Sequence, residues 1–288
     1  MRSIYYLVFF FLFASSCKKI EDKIVTGNIP PPDHTVDSAT ILIYINKAYI
    51  NLTGKEPMGT ERNEALTILR QNNFSADNRK QFIETLFTKN DYNRTLYNRA
   101  AAEYLANTDS ADIEGAIYQY NYILTLPQYA PFYPLVQAEL SRLDTFKRTM
   151  NDMNSGIADY REMLIRCTNN YFYDQVNMGT ENFVISTFQN FLFRYPDSTE
   201  LSRAKLMVDG LSSTSFFQAG KTKYDYIQIF FNSTDYYEGQ VRYVFRKYLF
   251  REPSPAEIPY YAAIYKSTNS FKNMQKEILS LDEYAGIP

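Results

Sequence analysis

The chain has 288 residues, 45% hydrophobic and 22% charged, with a formal net charge of −2; that is enough apolar material for one large domain or two small ones. No basic excess is present to neutralise phosphates, which excludes nucleic acid as an expected partner. With only 10 Gly and 12 Pro against 26 Tyr, 21 Phe and no Trp, an all-β fold rich in tight turns is disfavoured and the core volume is concentrated in rings.

Residues 1–16 read as a targeting segment. Arg2 supplies a positive start, YLVFFFLFA an apolar run too short to span a bilayer comfortably, and ASS small residues directly before Cys17. This resembles the signal peptide and lipobox of bacterial lipoproteins, and the CKK start is similar to that of lipoproteins of the Bacteroidota. The resemblance implies cleavage before Cys17, acylation of that cysteine and anchoring to the outer membrane, on its periplasmic or its outer face. Several acyl chains on one residue hold stably where one would not. The mature chain would then carry 29 basic and 32 acidic residues and one further cysteine, Cys167, so no intramolecular disulfide braces it. Residues 17–36 include Pro30, Pro31 and Pro32 without helical periodicity and read as the tether.

From residue 37 to 288 the periodicity is helical, which predicts an all-α, multi-helical body. A first unit covers about 41–92. Ile45, Ala48, Tyr49, Leu52 and Thr53 share one helical face, Pro57 breaks the helix, and Glu61 falls in the first turn of the next one, behind a poor N-cap in MGTE. Phe82, Ile83, Leu86 and Phe87 form another apolar face that runs into Asp91-Tyr92, read as a helix stop.

Residues 93–182 form a helical insert. A helix is expected near 94–106, and another near 110–125 with Ile113, Ala116, Ile117 and Tyr120 on one face. Breaks follow at Pro127, Pro131 and Pro134, then a helix over about 135–152. Ile157, Tyr160, Leu164, Cys167 and Tyr171 then keep a seven-residue rhythm, placing Cys167 on an apolar face as a small buried hydrophobe. YDQVNMGTENF, with Asn177, Gly179, Thr180 and Asn182, is the one polar non-repeating stretch; it serves either as a binding loop or as a helix-to-helix connection.

A second unit, about 183–236, repeats the first. Its face is Val184, Thr187, Phe188, Phe191 and Leu192, its elbow Pro196 to Glu200 with Asp197 as cap, and its close Tyr226, Ile227, Phe230 and Phe231 before Asp235-Tyr236. The third, about 241–284, has Val241, Val244, Phe245, Tyr248 and Leu249, then Pro253 and Glu257, then Glu283-Tyr284. Here Ser254 is the expected N-cap, Pro255 the first helical residue and Glu257 the partner in a capping box. Three occurrences of P-x-x-x-E between matching faces describe a duplicated module of helix, proline elbow, helix and helix. The recurring acids are therefore expected to cap helices.

Leu52, Thr53, Gly54, Pro57, Glu61, Asp91 and Tyr92 match a pattern of helix, LTGxxPxxxE and acid-Tyr. By it the first unit resembles helical modules that accompany cytochrome c domains in planctomycete-type surface proteins. FRKYLFREPSPAEIPYYAAIY resembles related modules. The resemblance covers about half the mature chain and implies a fold and a neighbourhood. It implies no haem, because C-x-x-C-H is absent.

His34 is the single histidine and lies in the tether, so no zinc site, haem site or Ser/His/Asp arrangement is expected, and no phosphate-binding glycine loop occurs; no cofactor is implied. Carboxylates alone leave a glycosidase formally open. Asp37-Ser-Ala, Asp109-Ser-Ala and Asp197-Ser-Thr resemble the short O-glycosylation acceptor of exported Bacteroidota proteins and are equally ordinary helix caps. The leading expectation is a non-catalytic scaffold or accessory subunit of an envelope complex, bound to a protein partner. The alternative is a glycan-binding surface lipoprotein using Tyr-rich segments such as IYQYNY and NNYFYDQ.

Overall fold

The computed structural model describes residues 35–287, and from Val36 these form one unit. The leader, Cys17, the proline tether and His34 lie outside the described residues. Among the described residues there are sixteen α-helices and one two-stranded hairpin, so the fold is all-α. No helix among them is long and apolar enough to cross a membrane.

The first unit contains α1 (Ser38–Thr53), α2 (Gly59–Arg70), α3 (Ala76–Phe87) and α4 (Asn90–Tyr104). The insert contributes α5 (Ser110–Ile123), α6 (Tyr133–Lys147), α7 (Thr149–Asn154), α8 (Tyr160–Thr168) and α9 (Tyr171–Val176). Then come α10 (Thr180–Leu192), α11 (Ser198–Val208), the hairpin β1 (Ser213–Ser215) and β2 (Gln218–Gly220), α12 (Lys223–Asn232) and α13 (Thr234–Val244). A π-turn, Phe245–Leu249, extends α13. The chain closes with α14 (Glu257–Thr268), α15 (Phe271–Leu279) and α16 (Asp282–Ala285).

All three predicted faces point into the core. Every one of the fifteen residues is buried except Leu249, which is half-buried against the same cluster. Three details depart from the sequence reading. The acid-Tyr pairs do not stop helices: Asp91-Tyr92, Asp235-Tyr236 and Glu283-Tyr284 each lie in the first turn of a new helix, α4, α13 and α16. A one-residue corner, such as Ser233 between α12 and α13, leaves the apolar period almost unbroken and so hides the boundary. Units two and three are not separate in consequence, because α13 ends one and begins the other. In the insert, the 135–152 helix divides at Arg148, and Ile157 and Tyr171 fall outside α8, with Ile157 exposed.

The aromatic load is mostly core. Tyrosines do there what no apolar ring can, carrying a hydroxyl that ties helices together. Tyr92 Oη donates to Gln275 Oε1 at 2.8 Å and Tyr44 Oη to the Leu279 carbonyl at 3.1 Å. Tyr226 and Thr187 share a hydrogen bond of 2.7 Å, and Asn51 Nδ2 donates to Tyr284 Oη at 2.9 Å. Helices α10 and α13 approach so closely that a Cβ on Gly239 would stand 2.0 Å from the Phe191 carbonyl oxygen, which only glycine allows. Cys167 is buried as expected, and burial pushes its thiol up to about 12.

Candidate functional site

The elbows are built alike. Each first helix ends on a left-handed residue: Gly54 (φ 72), Phe193 (φ 58) and Phe250 (φ 56). The next residue is basic, Lys55, Arg194 or Arg251, and two positions later comes the proline. The elbow acid then caps the following helix. Glu61 Oε2 accepts the Met58 N–H at 2.9 Å, Glu200 Oε2 the Asp197 N–H at 2.8 Å and Glu257 Oε2 the Ser254 N–H at 2.7 Å. Asp197 returns the bond to the Thr199 and Glu200 N–H groups, whereas Met58 provides no side-chain cap. Around Ser254 the reciprocal bonds form, with regular helix beginning at Glu257.

Capping is only half of what these acids do. Arg251 donates to both oxygens of Glu257 at 2.9 and 2.8 Å and to both of Glu283 at 2.7 and 2.8 Å. Arg194 donates to both oxygens of Glu200 at 2.7 Å and to Asp235 Oδ2 at 2.7 Å. One guanidinium thus joins the acid that opens the second helix to the acid of the acid-Tyr pair, and its Cζ lies 4.9 Å (Arg194) or 4.8 Å (Arg251) from the ring centroid of Phe188 or Phe245. In the first unit two lysines share this role. Lys55 pairs with Asp91 at 2.5 Å and Lys89 with Glu61 at 2.6 Å. An ammonium is a point donor and cannot fork as a guanidinium does. These bonds hold the carboxyls of Glu61 and Glu200 below the usual range, the Lys89 and Arg194 side chains being the main causes, and put Glu257 at about 2 through Arg251.

The second elbow alone carries the hairpin, which sequence reasoning missed. Ser215 pairs with Gln218, so Phe216 and Phe217 form a two-residue turn with φ of 46° and 62°. Such turns favour Asn-Gly; a Cβ in the left-handed region costs about 1–2 kcal/mol per residue. Phe216 offsets this by packing against Phe188 and Phe230, with centroids 5.8 and 5.7 Å away. Phe217 makes no ring contact among the described residues and is 101% exposed. A cavity of about 330 Å³ lies between hairpin and elbow, lined by Phe217, Thr199, Arg203, Thr214 and the carboxylates of Asp197 and Asp235, with Glu200 behind them. Among the described residues, Asp197 Oδ2, Asp235 Oδ1 and the Arg203 guanidinium have no protein partner, the bonds of the two aspartates falling on their other oxygens. Both oxygens of Glu200 are engaged by Arg194, so the open hydrogen-bonding groups of the cavity are those of Asp197, Asp235 and Arg203.

The other residues singled out in the sequence lie elsewhere. Asn177 Nδ2 donates to the Tyr173 carbonyl and Asn182 Nδ2 to the Met178 carbonyl, both at 2.9 Å. Gly179 (φ 90) is the N-cap of α10, and Thr180 Oγ1 donates to Asp209. The bonds of Asn177 and Asn182 are thus local to the connection between α9 and α10, and Thr180 ties it to the end of α11. Asp37, Asp109 and Asp197 are all N-caps, of α1, α5 and α11. Of the Tyr-rich segments, Tyr173 is fully buried, and Tyr118 and Tyr122 are exposed on α5. A second cavity of about 230 Å³, beside Leu96, Met153 and Phe271, is edged by Lys272, whose Nζ donates to the Phe87 carbonyl at 3.2 Å and so closes the end of α3. Among the described residues no group of three or more His, Cys, Asp or Glu is placed to hold a metal ion. No protein-family model, curated protein or solved structure matched the chain.

Proposed function

We propose that this chain is a lipid-anchored envelope protein acting as a non-catalytic scaffold, tethered through Cys17 to the outer membrane and docking a protein partner through its helical insert. The carrying observation is the α5–α6 pair. Helix α5 packs chiefly on α6; Tyr118 and Tyr122, one turn apart on α5, are exposed, and so are Phe132, just before α6, and Leu135 in its first turn. Exposed aromatic and aliphatic side chains on one helical pair fit the centre of a protein interface. The acids that recur in the sequence are meanwhile engaged in caps and clamps, which supports binding over bond cleavage.

Crosslinking and capture of the anchored protein from its own membrane tests this. A stoichiometric protein is expected with the native chain and is expected to be lost with Tyr118→Ser/Tyr122→Ser at unchanged thermal stability. Retention of that partner by the double variant, or recovery of none by the native chain, would overturn the reading. Cys17→Ala should move the chain to the soluble fraction; continued membrane fractionation would sink the tether.

A further inference from the structure

The hairpin between α11 and α12 places an aromatic ring where the fold has no use for one. Position 217 sits in a left-handed turn that glycine would relieve, and its side chain buries nothing. Strain and exposure alone carry no function, since Phe250 at the third elbow is strained and exposed as well. The cavity beside Phe217 is what adds chemistry. It sets one free apolar ring face next to open acceptors on Asp197 and Asp235, open donors on Arg203 and the hydroxyls of Thr199 and Thr214.

We propose that this tip and cavity bind a neutral carbohydrate, with the C–H face of a pyranose lying on Phe217 and its hydroxyls exchanging hydrogen bonds with the cavity wall. A sugar combines an apolar face with a polar edge, and the mixture of acceptors, donors and hydroxyls beside the Phe217 ring suits groups that both donate and accept. The volume lies at the lower end of small-molecule sites, suited to a residue or two of a chain. Three carboxylates, Asp197, Glu200 and Asp235, face two guanidiniums, Arg194 and Arg203, and the resulting negative balance disfavours uronic acids, phosphates and anionic lipid surfaces. The site is distant in sequence from the α5–α6 surface and does not rest on the scaffold reading.

The full chain, held in a detergent without a sugar headgroup, is applied to an array of neutral and acidic oligosaccharides, and each hit is measured by titration calorimetry. Saturable binding to neutral members and none to acidic ones is expected. Phe217→Gly should weaken it at least tenfold while leaving the melting midpoint unchanged or raised, because the turn is relieved. Arg203→Ala, an exposed substitution, gives a second arm that does not touch the turn and should weaken binding several-fold. A blank array, equal binding of acidic glycans, or native affinity in both variants overturns the proposal. A blank array together with loss of the captured envelope protein in Phe217→Gly assigns the tip to protein docking instead, and overturns it too.

Discussion

Arg251 is the residue on which the third elbow turns. Four hydrogen bonds tie it to Glu257 and Glu283, and the first of these partners has its carboxyl held at about 2, against an ordinary 4.5, chiefly by the Arg251 bond. A carboxyl depressed in the folded state adds stability above its unfolded value and loses that contribution as pH falls towards its folded one. The melting midpoint should therefore hold from neutral pH to about 5 and decline from about 4.5 towards 2. Arg251→Met should lower the midpoint at pH 7 by an amount worth about 1 kcal/mol, since the group is part-exposed, and should shrink the acid decline. An unchanged acid slope in the variant, followed by circular dichroism, would remove Arg251 as its cause. The clue is present in the sequence: Lys55, Arg194 and Arg251 each stand two residues before the elbow proline. Capping accounts for the acids so fully that nothing in the sequence calls for a second partner at the basic position.

Among the elements, the three elbows differ in how the clamp is divided, and the difference is testable. In the first unit Lys89 holds Glu61 and Lys55 holds Asp91. Lys89→Ala should cost about 0.5–1 kcal/mol by chemical denaturation. In a Lys55→Arg background that loss should be at least halved, because a guanidinium at the Arg194 and Arg251 position reaches both acids. Strict additivity of the two substitutions would show that the elbows are alike in sequence only. Helix faces and elbows were legible because burial at every third or fourth position and a proline break leave a strong period. The hairpin was illegible for the opposite reason. Ser-Phe-Phe-Gln contains none of the residues that announce a two-residue turn, and Phe216 is held there by tertiary packing on Phe188 and Phe230.

At the scale of the whole molecule, the first and last units close on each other. Tyr44 donates to the Leu279 carbonyl across 235 residues, and Lys47 donates to the Tyr284 carbonyl across 237. Buried Arg79 donates to the Ser280 carbonyl at 2.9 Å and pairs with Asp282, while Arg99 donates to Tyr248 Oη at 2.9 Å. A string of independent repeats would tolerate loss of its final member. Here, removing residues 271–288 should strip partners from α1, α3 and α4 together and abolish a single cooperative melt. A truncated chain that keeps a sharp transition near the native midpoint would show that the first unit stands alone. Periodicity describes each helix but not which helices meet, and several of the closing bonds end on backbone carbonyls that no side-chain pattern reports.

The same closure sets an order of events when the chain is made. Synthesis delivers α1 first, yet Tyr44, Lys47, Asn51 and Arg79 find acceptors on residues from 279 onward. The apolar face of α1 meets α2, α3 and α4 early, but until residues 279–284 are made these polar groups lack their counterparts. The final contacts must then be made across separations of 201 to 237 residues, a slow step by loop-closure entropy. Helices α15 and α16 and the corner between them thus act as a latch, satisfying polar groups that the first unit has carried open since it was made.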